Sequence, residues 1–310
     1  LTTSAPTSAT PLSPARSFGD RLRAFAADIK LSHSVFAMPW ALLAAFLAAR
    51  AIGRAAPHGG QVALIVLCMV TARTVAMAAN RYLDAAIDAG NPRTARRAIP
   101  AGRLSRGWVA GAIAVCAALF VGSTALFGVV YANWLPLTLS VPVLLFVASY
   151  PLFKRFTRLV HYYLGAALGL APVCAWVAIA GRLDWPPVIM GAAVTLWTAG
   201  FDVIYACQDY AVDVRDGLFS IPAKLGVAGA LWVARLTHVA CVALLVLLGF
   251  AVPQFGALYW AAVAIAVTLL AVEHALVRAD DLSKVGLAFF TINGIISVVI
   301  GALGIADLFF

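Results

Sequence analysis

Charge is what this chain has least of. Only 11% of its 310 residues are Asp, Glu, Lys or Arg, whereas a soluble domain carries about 25%. That leaves too little polar surface to cover a water-soluble helical core protein. Acidic residues are the scarcer sign, 13 against 22 basic ones, for a net charge of +9. Cysteine is sparse and scattered. Cys68, Cys116, Cys174, Cys207 and Cys241 form neither a CxxC zinc pattern nor a disulfide framework, and read as small buried apolar residues. The five histidines are dispersed too. His33 and His161 precede or open apolar runs without a ligand partner at i+4, which argues against a histidine metal centre. Residues 1–19, rich in Ser, Thr, Ala and Pro, have no apolar h-region, so they are not a signal peptide. They are expected to be a disordered tail.

Long apolar runs fill the remainder, and the mean hydropathy is +0.96. Nine runs, at roughly 33–52, 60–79, 107–129, 134–150, 160–180, 187–206, 229–250, 254–277 and 285–307, each approach the ~20 residues needed to cross a bilayer. The expected fold is an all-α polytopic membrane bundle of nine transmembrane helices, one domain over 20–310, with the first span acting as an uncleaved signal anchor. Basic residues collect in alternate loops. Arg16, Arg21, Arg23 and Lys30 precede the first span; Arg93, Arg96, Arg97, Arg103 and Arg106 follow the second. Lys154, Arg155 and Arg158 follow the fourth, Arg215 and Lys224 the sixth, Arg278 and Lys284 the eighth. The other side holds only Arg50, Arg54 and Arg182. The positive-inside rule then puts the N-terminus in the cytoplasm and, with an odd number of spans, the C-terminus outside. The surplus of positive charge is thus a topology signal, and no nucleic-acid partner is expected.

Acids gather at two places, the ends of the second and sixth spans: Asn80-Arg81-Tyr82-Leu83-Asp84-Ala85-Ala86-Ile87-Asp88 and Asp202-Val203-Ile204-Tyr205-Ala206-Cys207-Gln208-Asp209-Tyr210-Ala211-Val212-Asp213. The repeat after four spans suggests a weak internal duplication, with a ninth span appended. A helix turns about 100° per residue, so Asn80, Asp84 and Asp88 form one stripe, and Asp202, Asp209 and Asp213 another with Tyr205 beside it. A carboxylate at the centre of a bilayer costs roughly 2.5–3.5 kcal/mol. Two such stripes beside membrane helices are therefore read as a cation site. Hard oxygen donors favour Mg²⁺, which keeps coordination positions for substrate phosphates, and the lack of thiolate and imidazole partners argues against zinc or copper. The loops after both clusters are expected to be long and functional. Arg93, Arg97, Lys154, Arg155, Arg215 and Lys224 flank the clusters and supply groups of the kind that hold diphosphate oxygens. Arg73 lies two turns before Asn80, well inside the second span. It is expected to face the bundle interior, either bracing the site or meeting an anionic substrate.

At these residues the chain resembles the UbiA superfamily of intramembrane prenyltransferases. The superfamily's NxxxDxxxD signature reads here as NRYLDAAID, and its DxxxD, often preceded by DxxYAxx, as DVIYACQDYAVD. RTARRAIPAGRLS is similar to the family's RTxxRxLPxG segment, with Ile99 where Leu is common, and YPLFKRFT to the basic loop after its fourth span. The resemblance covers nearly everything after residue 28. It implies that Asn80, Asp84, Asp88, Asp209 and Asp213 bind diphosphate through Mg²⁺ and that Lys154 and Arg155 help hold it. It also implies an isoprenoid tail in a lipid-open groove, ionisation to an allylic cation, and attack by an electron-rich aromatic carbon. Arg73, Arg93, Arg97, Asp202 and Tyr205 complete the expected substrate-binding set, with Tyr205 the candidate site aromatic.

GLFSIPAKLG resembles the prenyltransferases of the futalosine route to menaquinone, whose acceptor is a dihydroxynaphthoate. The 4-hydroxybenzoate polyprenyltransferases of ubiquinone synthesis share most of the same framework. Haem O and chlorophyll synthases fit less well around DAGNPRTARRAIP. The implied partners are a polyprenyl diphosphate, an aromatic acid acceptor and the lipid bilayer. The implied location is a bacterial inner (cytoplasmic) membrane, with the active site on the cytoplasmic side. Two alternatives stand beside this. A transporter would carry its ionisable groups near the bilayer midplane in broken helices, and a terpene cyclase of the same fold would differ in what meets the cation.

Overall fold

In lipid, backbone N–H and C=O groups must satisfy one another within the chain, so apolar runs of this length become α-helices. The structure is a computed structural model and describes residues 17–29 and 36–310. Its helices are α1 (Phe18–Asp28), α2 (Met38–Ala51), α3 (Gly59–Leu83), α4 (Ala85–Ala89), α5 (Arg106–Tyr131), α6 (Leu135–Phe153) and α7 (Val160–Ala180). They continue with α8 (Trp185–Ala206), α9 (Tyr210–Arg215), α10 (Ile221–Ala251), α11 (Ala257–Leu276), α12 (Val285–Leu287) and α13 (Asn293–Asp307). Eight helices among the described residues are long and apolar enough to span a membrane, the last running Val285–Asp307 through α12 and α13. The apolar α2, of 14 residues, makes the ninth. Each expected run therefore has its helix. α2 is shorter than the run at 33–52, of which residues 33–35, including His33, lie outside the described residues, as do Arg16 and Lys30.

Two boundaries differ from expectation. Residues 17–19, counted with the tail, open α1 instead, and the rest of the tail lies outside the described residues. Ser17 and Asp20 form a capping box: Ser17 Oγ accepts from the Asp20 N–H (3.0 Å), and Asp20 Oδ2 accepts from the Ser17 N–H (3.3 Å). Such a box starts a helix without needing apolar periodicity. The seventh span begins at Ile221 rather than near 229. Ser220 caps it by accepting from the Ala223 N–H (3.2 Å), Pro222 fills its first turn, and the helix bends at Gly226 (φ 70°). The loop after the second acidic cluster is consequently short, 207–220, whereas the loop after the first runs 84–105. Within the last span, the turn Ala288–Ile292 is π-helical. Asn293 pins it, donating to the Ala288 carbonyl (3.1 Å) and to Glu273 (3.0 Å) while accepting from the Trp197 indole (2.7 Å).

The spans pack in a sequence that leaves one large interior space. α7 runs along α8 and α2, α10 along α8, and α3 along α5 and α6. In lipid, helices gain little by hiding apolar surface from one another, so close packing by small residues carries much of the association. The α7–α8 seam shows this. A Cβ on Gly165 would overlap the Thr195 carbonyl, and one on Gly169 the Gly191 carbonyl. At the opposite end of the bundle, Asp307 accepts hydrogen bonds from Gly256, Leu258 (3.2 Å) and Tyr259 (3.1 Å) at the N-terminus of α11, where a carboxylate also complements the helix dipole.

Gly169→Val should force α7 away from α8. The expected cost is about 1–3 kcal/mol, read as a lower unfolding temperature in detergent micelles than that of the parent protein.

Candidate active site

The first acidic cluster straddles a helix break. α3 stops at Asp84, whose φ of −94° and ψ of 4° leave the helical range, and α4 restarts at once. The i to i+4 bonds survive the break: Asp84 N–H to the Asn80 carbonyl is 2.9 Å, and Asp88 N–H to the Asp84 carbonyl is 2.8 Å. The stripe inferred from helical spacing therefore persists, and Asn80, Asp84 and Asp88 line one cavity. The second cluster is interrupted by a 3₁₀ turn, Cys207–Asp209, between α8 and α9. Asp202, Tyr205, Asp209 and Asp213 line the same cavity. The two clusters thus face one space of about 660 Å³, within the usual range for ligand pockets.

Each of three carboxylates at the mouth meets a cation. Lys154 Nζ lies 2.7 Å from Asp84 Oδ2, and Arg155 approaches Asp84 Oδ1 at 3.6 Å. Arg97 Nη1 donates to both oxygens of Asp88 at 2.7 Å. Arg93, from the loop after the first cluster, reaches across to Asp209 of the second. Its Nε donates to Oδ1 (2.8 Å), its Nη2 to Oδ2, and its Nη1 to the Tyr205 hydroxyl (3.1 Å). Its guanidinium also lies 5.3 Å from the centroid of the Tyr205 ring. Burial works against the Arg93 charge, but the hydrogen bonds and negative charge of Asp209 outweigh it and raise its pKa. Asn91 Nδ2 adds a third donor to Asp209 (3.1 Å), and Arg215 Nη2 ties the second loop to the Gly90 carbonyl (3.0 Å).

Of the residues expected at the site, all but Arg155 line the cavity. Arg155 holds Asp84 and donates to the Leu83 carbonyl (2.8 Å). Arg73 faces the interior as expected and donates to the Ile29 carbonyl (3.4 Å). Arg215 and Lys224 stand outside the lining.

Sequence reasoning passed over several contributors. Arg81 is buried against Asp28 and donates to Asn80 Oδ1 (2.6 Å), which orients the Asn80 amide so that Nδ2 donates to Asp84 Oδ2 (3.0 Å). Its place next to Asn80 was the available signal. Tyr150 lines the cavity from α6, with only its position before the basic loop to mark it. His161 pairs its Nδ1 with Asp202 Oδ2 at 2.7 Å; a lone histidine opening an apolar span was the clue.

Beyond the charged mouth the lining turns apolar, through Ile65, Phe120, Phe127, Val143, Leu168 and Val177. Phe36, Phe201, Tyr205 and Phe289 also line the cavity and pack on one another as an aromatic wall. Tyr205 and Phe289 have ring centroids 4.4 Å apart, and Phe201 and Phe289 pack edge to face at 5.2 Å. Among the described residues, no three His, Cys, Asp or Glu side chains converge closely enough to hold a metal ion by themselves. The chemistry of the donor set nevertheless suits a hard cation. Asp84 Oδ1 is buried with no hydrogen-bond partner, Arg155 stopping short of bonding distance, a state that costs about 1–3 kcal/mol and that a bound metal ion would relieve. Asn80, Asp88, Asp209 and Asp213 supply further oxygens.

Residues 37–295 match the UbiA prenyltransferase family. The 4-hydroxybenzoate octaprenyltransferase of Methylococcus capsulatus is 33% identical over 211 residues, covering 66% of this chain and 70% of the relative. The 4-hydroxybenzoate octaprenyltransferase of Nitrosomonas europaea is 28% identical over 303 residues, covering 94% and 97%. Among solved structures, a UbiA homolog from Aeropyrum pernix K1 in its apo form superposes with a TM-score of 0.79 at 31% identity, covering 90% of this chain and 98% of that one. A UbiA homolog from Archaeoglobus fulgidus bound to GPP and Mg²⁺ gives 0.65 at 16% identity, over 93% of this chain and all of that one, which speaks to the fold alone. The matched residues enclose both acidic clusters and the cations that meet them, and the chain belongs to the UbiA prenyltransferase family and is a prenyltransferase.

Proposed function

We propose that this enzyme transfers a polyprenyl group from a polyprenyl diphosphate to an aromatic acid of quinone biosynthesis, with Mg²⁺, on the cytoplasmic side of a bacterial inner membrane. The observation that carries this reading is one cavity with two chemistries: a rim of alternating carboxylates and cations, continuous with an apolar chamber. A diphosphate ester of a long hydrocarbon has the same two parts. The basic loops on the rim side set the orientation through the positive-inside rule. A transporter fits less well, because the acids stand at helix ends and not at the midplane.

Asn80, Asp84, Asp88, Asp209 and Asp213 would hold the metal, which when bound neutralises diphosphate charge and so makes it a better leaving group. The chain's own groups do the rest. Lys154, Arg93 and Arg97 stand where negative charge grows as the C–O bond breaks and its electron pair stays with the diphosphate. Such fixed cations in a water-poor site are a principal source of rate enhancement. The aromatic wall of Phe36, Phe201, Tyr205 and Phe289 presents π-faces to the allylic cation and keeps water from it. The apolar chamber between α5, α6 and α7 takes the tail.

Arg73 supplies a counter-charge for the carboxylate of the acceptor. The curated relatives bear the name 4-hydroxybenzoate octaprenyltransferase, which favours 4-hydroxybenzoate as that acceptor. The GLFSIPAKLG segment keeps a dihydroxynaphthoate as the second acceptor to offer.

Membranes containing the protein, given a radiolabelled allylic diphosphate with 4-hydroxybenzoate and dihydroxynaphthoate side by side, should label 4-hydroxybenzoate. Labelling only the naphthoate would reassign the acceptor, and labelling neither would refute the reading. Asp84→Ala or Asp209→Ala should lower turnover by at least about 10²-fold while the protein still inserts and purifies, and EDTA should abolish activity that added Mg²⁺ restores. Arg73→Ala should raise the KM for the aromatic acid and leave that for the diphosphate unchanged; an unaltered acceptor KM would remove Arg73 from the acceptor site.

A further inference from the structure

Asp202 differs from its acidic neighbours. Asp84, Asp88 and Asp209 each face Lys154, Arg97 or Arg93. The partner of Asp202 is His161, whose Nδ1 lies 2.7 Å from Oδ2. The other ring nitrogen fixes the tautomer. His161 Nε2 receives the backbone N–H of Ile221 at 3.3 Å, so it carries a lone pair, and the single proton of a neutral imidazole sits on Nδ1, pointing at Asp202. His161 is itself buried, held in the first turn of α7 against the start of α10. Asp202 is therefore a carboxylate oriented by an imidazole ring, where its neighbours are met by Lys or Arg side chains.

Its position adds a second observation. Asp202 lies within α8, one turn before its end, whereas Asp209 and Asp213 follow beyond the helix in the 3₁₀ turn and α9. It lines the same cavity as Phe201 and Tyr205, two members of the aromatic wall on the same helix. A carboxylate with proton-accepting capacity beside flat aromatic faces suits a planar aromatic bearing a hydroxyl group.

Resting on the acceptor reading above, we propose that Asp202 is the residue that recognises the acceptor's ring hydroxyl and takes its proton during transfer, with His161 as its positioning residue. The hydroxyl proton passes to a carboxylate oxygen of Asp202 as the ring carbon ortho to it forms a C–C bond to the tail's first carbon. The C–O bond to diphosphate breaks, and its electron pair leaves with the diphosphate. The ring is then a dienone. Its ortho hydrogen departs as a proton to the released diphosphate, the C–H pair restores aromaticity, and Asp202 returns its proton to the ring oxygen. Asp202 thereby ends as it began. Deprotonation turns a phenol into the more electron-rich phenolate at the moment of attack, and a positioned base of this kind contributes about 10²–10⁴-fold. A site built to bond a hydroxyl also rejects analogues that lack one, by up to about 10⁴–10⁵-fold.

The test uses the full-length enzyme in detergent with geranyl diphosphate, Mg²⁺ and three acceptors. These are 4-hydroxybenzoate, 4-methoxybenzoate (hydroxyl blocked) and 3-fluoro-4-hydroxybenzoate (hydroxyl more readily ionised, one ortho carbon free). The parent enzyme should strongly prefer 4-hydroxybenzoate to the methoxy compound. Asp202→Asn should lose at least about 10²-fold in kcat with 4-hydroxybenzoate, shrink the hydroxy-over-methoxy preference, keep the KM for geranyl diphosphate, and recover disproportionately with the fluorinated acceptor. A merely structural role would lower all rates together. An Asp202→Asn enzyme with parental kcat, or with an equal loss on hydroxy and fluorinated acceptors, overturns the proposal. If that variant does not fold, His161→Asn decides. It leaves Asp202 in place but unsupported, and should show the same acceptor-dependent pattern with a smaller loss; a uniform loss overturns the proposal too. A parent enzyme that prenylates no hydroxybenzoate refutes the acceptor reading and takes this inference with it. Parental turnover beside an indifferent Asp202 variant refutes the base alone.

Discussion

The site depends on one electrostatic constraint: carboxylates kept at the edge of an apolar bundle must be offset there. Removing an ion from water costs several kcal/mol even after the protein relaxes, and only close, well-bonded partners return it. Asp84 is fully buried, so Lys154 has to be within reach; Asp88 is nearly so, and Arg97 bonds both its oxygens. Arg93 does more than neutralise. It comes from one loop and bonds Asp209 on another, so the contact that satisfies the charge also draws the ends of α3 and α8 around a common space. Arg215, on the Gly90 carbonyl, repeats the connection from the other side. The resting charge balance and the shape of the mouth are products of the same contacts.

What could be read from the residues alone follows from which forces are local. Among the described residues, the nine apolar stretches became nine apolar helices because lipid leaves the backbone no alternative, and helical spacing put Asn80, Asp84 and Asp88 on one face. The motif resemblance carried the pairing of the two clusters, which periodicity could not supply. Features set by tertiary contact were out of reach. His161 looked like a stray polar residue because its meaning lies in Asp202, on another helix, and in the Ile221 N–H on a third. Arg81 sat unnoticed beside Asn80 because its partner, Asp28, belongs to α1. The early start of α10 was obscured for a different reason: Ile221 to Val227 is too mixed in polarity to extend a hydropathy run, although Ser220 and Pro222 mark a helix start to anyone reading caps.

Polarity inside the bundle is otherwise rationed. The buried group of Glu273, Asn293 and Trp197 joins α8, α11 and α13 far from any apparent need for charge, and it anchors the π-helical turn that carries Phe289. A π turn is costly on its own and recurs where a side chain has to be aimed. Here the aimed side chain is a ring of the aromatic wall. The polar group and the wall are thus one construction, with bonds buried among the helices setting the angle of a surface in the cavity.

The glycine seam between α7 and α8 divides the labour of the enclosure. Backbones that already touch carbonyl to α-carbon cannot come closer, and sliding would lose the fit of glycine to carbonyl, so that side is a fixed datum, and His161 and Asp202 ride on it. α5 and α6 line the cavity too and are less deeply buried than α7 and α8, bound by side chains that can be exchanged for larger or smaller ones. Any lineage adjusting how long a hydrocarbon the chamber accepts would therefore find its freedom on that outer flank, while the chemistry stayed referenced to a wall that cannot move.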